Sequence, residues 1–107
     1  MSEQTYLVML ALADSPRHGY AVAHEVKTLS DGRVALGAGT LYGVLDRLVE
    51  RGWAQMSDEV VVDGRLRRYY RLTDEGLAQV SAETERLRAL ATRARRILTA
   101  RPALGGA

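Results

Sequence analysis

The feature that most constrains this chain is a change of apolar period within residues 39–76. Apolar residues first recur at helical spacing, at positions 41, 44, 45, 48 and 49, and Gly52 is placed to end that helix. Residues 53–72 then take on strand character around Asp63-Gly64, a dipeptide typical of tight hairpin turns. A helix followed directly by a two-stranded hairpin restricts the chain to a small set of architectures.

The segments on either side of this stretch predict further helices. The first runs from its N-cap Ser2 to Ala13, and the second runs over about residues 17–30. The second helix is expected to bury a stripe of four residues, namely Tyr20, Ala23, Val26 and Leu29. The last helix begins after its N-cap Thr73 and reaches about residue 101.

This order of elements predicts a mainly α fold with a small β-hairpin. The expected architecture is a winged helix-turn-helix domain over residues 1–72, a C-terminal dimerisation helix over 73–101, and a disordered tail over 102–107.

Composition excludes several classes of protein. The 107 residues suit one domain, and the absence of cysteine excludes disulfides and Cys-based zinc sites. The longest apolar run, residues 6–13, is too short for a membrane span. The N-terminus lacks the basic flank that is typical of a signal peptide, so a cytoplasmic protein is expected. His18 and His24 are badly spaced for a metal, and no nucleophile–base pair occurs. We therefore expect no enzyme activity, no metal and no cofactor.

Charge is divided unevenly along the chain. Residues 1–59 carry five basic and eight acidic side chains, whereas residues 60–107 carry ten arginines and five acids. Arginine suits phosphate because its planar guanidinium can donate two hydrogen bonds at once. The second half of the chain is therefore the better candidate for contact with nucleic acid.

The third helix has the properties of a DNA recognition helix. Its outward face carries small or polar residues that allow close approach to a major groove: Gly39, Thr40, Gly43 and Arg47. Tyr42 flanks this face, where two roles stay open, a phosphate contact by its hydroxyl and a ring that covers the core. Asp46 and Glu50 do not suit DNA and are expected either to point past it or to pair with arginines.

The hairpin supplies a second set of candidate DNA contacts, which is Arg65, Arg67, Arg68 and Tyr69. Arginines near a hairpin tip can lie along a groove or the backbone. The alternative is a charged edge strand that prevents sheet-to-sheet aggregation. Tyr70 shares a face with Leu72 and is expected in the core. Tyr20 is expected in the core or at its edge, with a phosphate contact by its hydroxyl as the alternative. Trp53 is expected in the core, with a platform for a ligand as the alternative.

Several short motifs together resemble the PadR family of transcriptional regulators. They are His18-Gly19-Tyr20, Gly39-Thr40-Leu41-Tyr42, Leu45 with Arg47-Leu48 and Gly52, and residues 68–73 followed by Glu75-Gly76. The resemblance covers about residues 6–76. It implies a winged-helix homodimer whose second and third helices and wing bind DNA, with repression relieved by a small ligand or a stress signal. Gly43 stands where the family usually has proline, and the single C-terminal helix resembles the family's short branch.

Two helices also predict a homodimer from their sequences alone. The first helix is apolar on every side over residues 6–13, and the last, roughly 42 Å long, overhangs a body about 30 Å across. The residues expected to meet a second copy are Leu7, Leu10, Val80, Leu87, Ala91, Ala94 and Leu98. A small effector could lie at this interface.

We therefore expect a repressor that binds double-stranded DNA at a palindromic operator as a homodimer, with no membrane partner. Two alternatives stay open. One is a winged-helix adaptor that binds protein instead of DNA, which Asp46 and Glu50 favour, and the other is a small-molecule sensor.

Overall fold

A computed structural model describes residues 1–101 and confirms the predicted fold class. Its elements, in chain order, are α1 (Glu3–Asp14), β1 (Arg17–His18), α2 (Gly19–Leu29), α3 (Ala38–Glu50), β2 (Ala54–Val62), β3 (Arg65–Leu72) and α4 (Asp74–Ala100). The molecule measures 63 × 27 × 20 Å because α4 extends beyond the body formed by the other elements. The predicted tail over 102–107 lies outside the described residues, and the division into domains at residue 72 stays a prediction. No helix within residues 1–101 combines the length and apolar character needed to cross a membrane.

The predicted N-caps of the first and last helices are confirmed. The hydroxyl of Ser2 accepts a hydrogen bond from the Thr5 amide, and that of Thr73 accepts one from the Gly76 amide. The Thr73 hydroxyl also donates to the Gly52 carbonyl at 2.6 Å. One side chain therefore caps α4 and ties its start to the end of α3.

The predicted hairpin is present and belongs to a three-stranded antiparallel sheet. Asp63 and Gly64, with φ of 51° and 73°, form the turn between β2 and β3. β1 adds a third strand, pairing Arg17 with Tyr70 and His18 with Tyr69. β1 was not predicted, because two residues are too few to show a period.

The core lies around α1, which corrects the expectation that a second subunit must cover this helix. Leu7, Val8, Met9, Ala11 and Leu12 are all buried by the chain's own α2, α3, α4 and β3. A helix that is apolar on every side can be the central helix of a small domain, since neighbours within one chain can surround it.

The predicted buried face of α2 is confirmed for Val26 and wrong for Tyr20 and Leu29. Tyr20 is 80% exposed and Leu29 is 44% exposed, whereas Gly19, Val22 and Val26 are buried. Residues 20, 23, 26 and 29 repeat at steps of three, which drift around a helix of 3.6 residues per turn. Steps that alternate between three and four, as from 19 to 22 to 26, keep to one face.

The base of α4 is packed closely against the start of β2. A Cβ built on Gly76 would lie 1.9 Å from the Trp53 carbonyl oxygen, and the Thr73 amide donates to that same oxygen at 3.0 Å. The Trp53 side chain packs against the core, as predicted, with the Arg51 guanidinium 5.1 Å from its ring centroid. The direction of α4 is therefore set by backbone contact.

Candidate nucleic-acid interface

α3 buries one face and exposes the other. Leu41, Val44, Leu45 and Leu48 are 3% exposed or less, so they fix which side faces outward. The outward residues predicted to meet DNA are exposed or half-buried: Gly39, Thr40, Tyr42, Gly43 and Arg47. The Arg47 guanidinium lies 3.7 Å from the position that a Cβ on Gly43 would take. The arginine thus lies across the glycine, and its terminal nitrogens stay at the surface.

The β2–β3 hairpin, which is the wing, carries arginines with and without an acidic partner. Arg68 is opposite Glu59 in the β2–β3 register, and their side chains form an ion pair at 3.7 Å. Arg65 and Arg67 are opposite valines, and neither has an acidic partner within residues 1–101. Arg65 and Arg67 are therefore more available to an external anion than Arg68 is.

A cleft of about 510 Å³ separates the wing from the start of α2. Its lining residues are His18, Gly19, Tyr20, Tyr42, Arg65, Leu66, Arg67 and Arg68. We refer to this cavity as the α2–wing cleft. None of the lining residues is acidic, and most of the polar ones end in an N–H or O–H donor. This cleft is chemically suited to an anion.

His18 is held at the wall of the cleft by three contacts. Its Nδ1 accepts the Ala21 amide at 3.4 Å, and its ring packs edge-on against Tyr69 with centroids 5.3 Å apart. It also stacks on Tyr20 at 6.5 Å. Burial, followed by the nearby Arg67 guanidinium, holds the pKa of His18 below its ordinary value. Near neutral pH the ring is therefore uncharged, and its proton is on Nε2.

The structure brings some of the predicted DNA contacts together and separates others. Tyr42 and the arginines at 65, 67 and 68 meet at the α2–wing cleft. Tyr69 is half-buried behind it against His18, and Gly39, Thr40, Gly43 and Arg47 lie on α3 outside its lining.

Four residues that line the cleft were not predicted from the sequence as DNA contacts, namely His18, Gly19, Tyr20 and Leu66. Tyr20 was expected in the core or at its edge, yet it is largely exposed and lines the cleft. An alternating-step pattern over α2 would have turned Tyr20 outward and moved Gly19 inward. Tyr70, by contrast, is buried as predicted.

The acidic residues of α3 do not pair with arginine within residues 1–101. Asp46 and Glu50 are exposed and take part in none of the ion pairs there. Burial, and then the Asp46 carboxylate, raise the pKa of Tyr70, which places Asp46 on the Tyr70 side of α3. Of the two expectations for these acids, pairing with arginine is therefore wrong.

The residues predicted for dimerisation fall into two groups. Leu7 and Val80 are 7% and 3% exposed inside the chain's own core, so they have little surface left for a partner, which corrects that prediction. Leu10 and Ala94 are half-buried, and Leu87, Ala91 and Leu98 are exposed. Leu90 and Ile97, which were not predicted, extend the same exposed apolar stripe of α4.

Comparison with known proteins defines the class of this chain. The family model described as "Transcriptional regulator PadR-like family" matches residues 8–82. Transcriptional regulator Rv3488 of Mycobacterium tuberculosis is 43% identical over 86 residues, which is 80% of this chain and 74% of that protein. The chain is a winged-helix protein and belongs to the PadR-like family of transcriptional regulators, whose role is not enzymatic.

Solved structures agree with this assignment. A PadR family transcriptional regulator from Eggerthella lenta is 31% identical, with a TM-score of 0.70 over 89% of this chain and 83% of that chain. Bacillus subtilis PadR, crystallised in complex with operator DNA, is 17% identical with a TM-score of 0.66 over 75% of this chain and 45% of that chain. At 17% identity, the similarity to Bacillus subtilis PadR shows only that the two chains share a fold.

Proposed function

We propose that this chain is a repressor that binds a palindromic operator as a homodimer. The observation that carries the proposal is the cationic α2–wing cleft beside the exposed face of α3. Arg65 and Arg67 lie there without an acidic partner in residues 1–101, and the lining contains no carboxylate. A recognition helix needs flanking phosphate contacts to fix its register in the groove.

The solved complex of Bacillus subtilis PadR with operator DNA supports DNA as the partner. The exposed outward face of α3, with Thr40 and Arg47, is available for base edges, and the wing for the backbone. A two-fold dimer would present two such surfaces, and half-sites about 34 Å apart would then match one turn of DNA.

The exposed stripe on α4 supports the dimer. Leu87, Leu90, Ile97 and Leu98 are between 36% and 64% exposed on a helix that extends beyond the body. A second copy that docks its α4 along the first would remove these side chains from water.

A cytoplasmic location stays a prediction.

We infer that a small ligand or a stress signal releases the protein from DNA. A cavity of about 440 Å³ lies where the start of α1 meets α4, between Met1, Tyr6, Glu83 and Leu87. Because Leu87 belongs to the exposed stripe, this cavity adjoins the proposed dimer interface and is the site we propose for an effector.

The experiment is a gel shift with DNA from upstream of the protein's own coding sequence, repeated over a range of salt concentrations. The double variant R65A/R67A should bind more weakly, and the slope of log affinity against log salt should flatten by roughly 0.9 for each phosphate that is no longer neutralised. R93A/R95A is the matched control, since it removes the same charge from exposed positions on α4.

Two results would contradict the proposal. Wild-type protein that binds no DNA would favour the adaptor, which is supported by Asp46 and Glu50, since neither has an ion-pair partner in residues 1–101. Equal losses of binding in R65A/R67A and R93A/R95A would show that net charge, and not the wing, determines affinity.

A further inference from the structure

We propose that the α2–wing cleft seats one backbone phosphate of bound DNA, and that Gly19 is the residue that positions the Tyr42 hydroxyl at it. This inference rests on the proposed function, because it takes DNA as the ligand. It assigns a role to a glycine that touches no ligand itself.

Gly19 and Tyr42 are in direct contact. A Cβ built on Gly19 would lie 2.5 Å from the Tyr42 hydroxyl oxygen and 2.8 Å from its Cζ, and the three nearest atoms all belong to Tyr42. The backbone of Gly19 does not lie in the left-handed region, so its conformation does not require glycine. The space left by the missing side chain is therefore what Gly19 provides, and the end of the Tyr42 ring occupies it.

This contact does not serve the core. Tyr42 is 44% exposed and stands near the start of α3, so its ring reaches across to α2 at the edge of the cleft. The cleft that it borders is also lined by three side chains able to donate to an anion, namely those of Tyr20, His18 and Arg67. A phosphate oxygen accepts hydrogen bonds from all of these groups.

Gly19→Ala should displace the hydroxyl without unfolding the protein. The atoms in its way are the far end of a half-exposed side chain, which can swing outward, and not backbone. The new methyl group would therefore act on the cleft and leave the core as it is.

The test is a double-mutant cycle on duplex DNA of mixed sequence, followed by fluorescence anisotropy. Such DNA is a sufficient probe, because a backbone contact carries no sequence information. G19A and Y42F should each weaken binding about tenfold, as expected when a hydrogen bond to a charged group is removed. In the Y42A background, G19A should change affinity by no more than the error, because the ring it displaces is gone.

Two controls accompany the cycle. Thermal unfolding should show G19A close to wild type. Thr28→Val removes a hydroxyl that donates to the His24 carbonyl outside the cleft, and it should bind DNA as wild type does. Y42F keeps the ring against Gly19, so it reports on the hydroxyl even if G19A is unstable.

The possible failures are distinguishable. Wild-type protein without affinity for any duplex would overturn the proposed function and this inference with it. If wild type binds and Y42F binds equally well, only the phosphate contact of Tyr42 is wrong. If G19A weakens binding by the same factor in the Y42A background, Gly19 does not act through Tyr42.

Discussion

The winged-helix body and the distal half of α4 are both regular and both contain many apolar residues, yet they differ in where those residues lie. All but one of the fully buried hydrophobic residues belong to residues 7–70, and the exception is Val80 near the base of α4. No residue over 81–101 is fully buried, and Ile97 and Leu98 are 64% and 62% exposed.

The difference shows which forces hold each region. The body is stabilised by burial of apolar surface, which is the largest favourable contribution to folding. Apart from the Tyr6–Thr84 hydrogen bond and the ion pair of the N-terminus with Glu83, residues 81–101 have local support such as the pairs Glu83–Arg86 and Glu85–Arg88, and pairs of that kind contribute little. A long helix with weak local support and an exposed apolar stripe is well suited to be stabilised by a second copy.

The largest expected effect lies at the junction of the two regions. Gly76→Ala would place a methyl group 1.9 Å from the backbone oxygen of Trp53, which cannot move aside as a side chain can. We expect a decrease of about 3 kcal/mol in the free energy of unfolding, measured by urea denaturation followed by circular dichroism.

The matched control for this variant is Gly39→Ala. Gly39 is also in the first turn of a helix, but nothing lies within 4 Å of a Cβ there. Alanine in that place should be neutral or slightly stabilising. Equal decreases for the two variants would mean that glycine flexibility, and not the contact with Trp53, explains the effect.

The next effect compares the core of the body with the exposed apolar stripe of α4. Leu45 is fully buried, so Leu45→Ala should cost about 3 kcal/mol of unfolding free energy at every protein concentration. Leu98→Ala should cost little in dilute protein and more at concentrations where the dimer forms, because its partner surface belongs to another copy. Urea denaturation at several protein concentrations measures both effects. A cost for Leu98→Ala that does not change with protein concentration would contradict a dimer interface at the exposed apolar stripe of α4.

The smallest expected effect is that the two regions lose stability over different ranges of pH. The pKa of His18 is lowered by burial and Arg67, so its contribution to stability is complete above about pH 6.5 and is lost as the pH falls through its folded pKa. The pKa values of Glu83 and Glu85 are lowered by hydrogen bonds from Arg86 and Arg88, so their contribution is lost only in stronger acid. His18→Asn keeps a capping side chain and should abolish only the first of these decreases, as seen in thermal unfolding between pH 5 and 8.

Much of the fold could be predicted because its signals are local. Caps at Ser2 and Thr73, the Asp63-Gly64 turn and the stripe of α3 each depend on a few neighbouring residues. β1 could not be predicted in this way, because its two residues are strand only through pairing with Tyr69 and Tyr70. The sequence also could not show that Leu7 and Val80 are buried within one chain, since the same apolar face can be covered by its own chain or by a second copy.

The sequence by itself determined the order of the four helices and the hairpin, the cationic wing and the family, because propensity, turn chemistry and motif spacing depend on consecutive residues. Only the tertiary structure decided which apolar faces are satisfied within one chain and which side chains meet in the cleft. The contact of Gly19 with Tyr42 joins residues 23 positions apart on two helices. Such a contact depends on how the helices pack, and no local pattern records it.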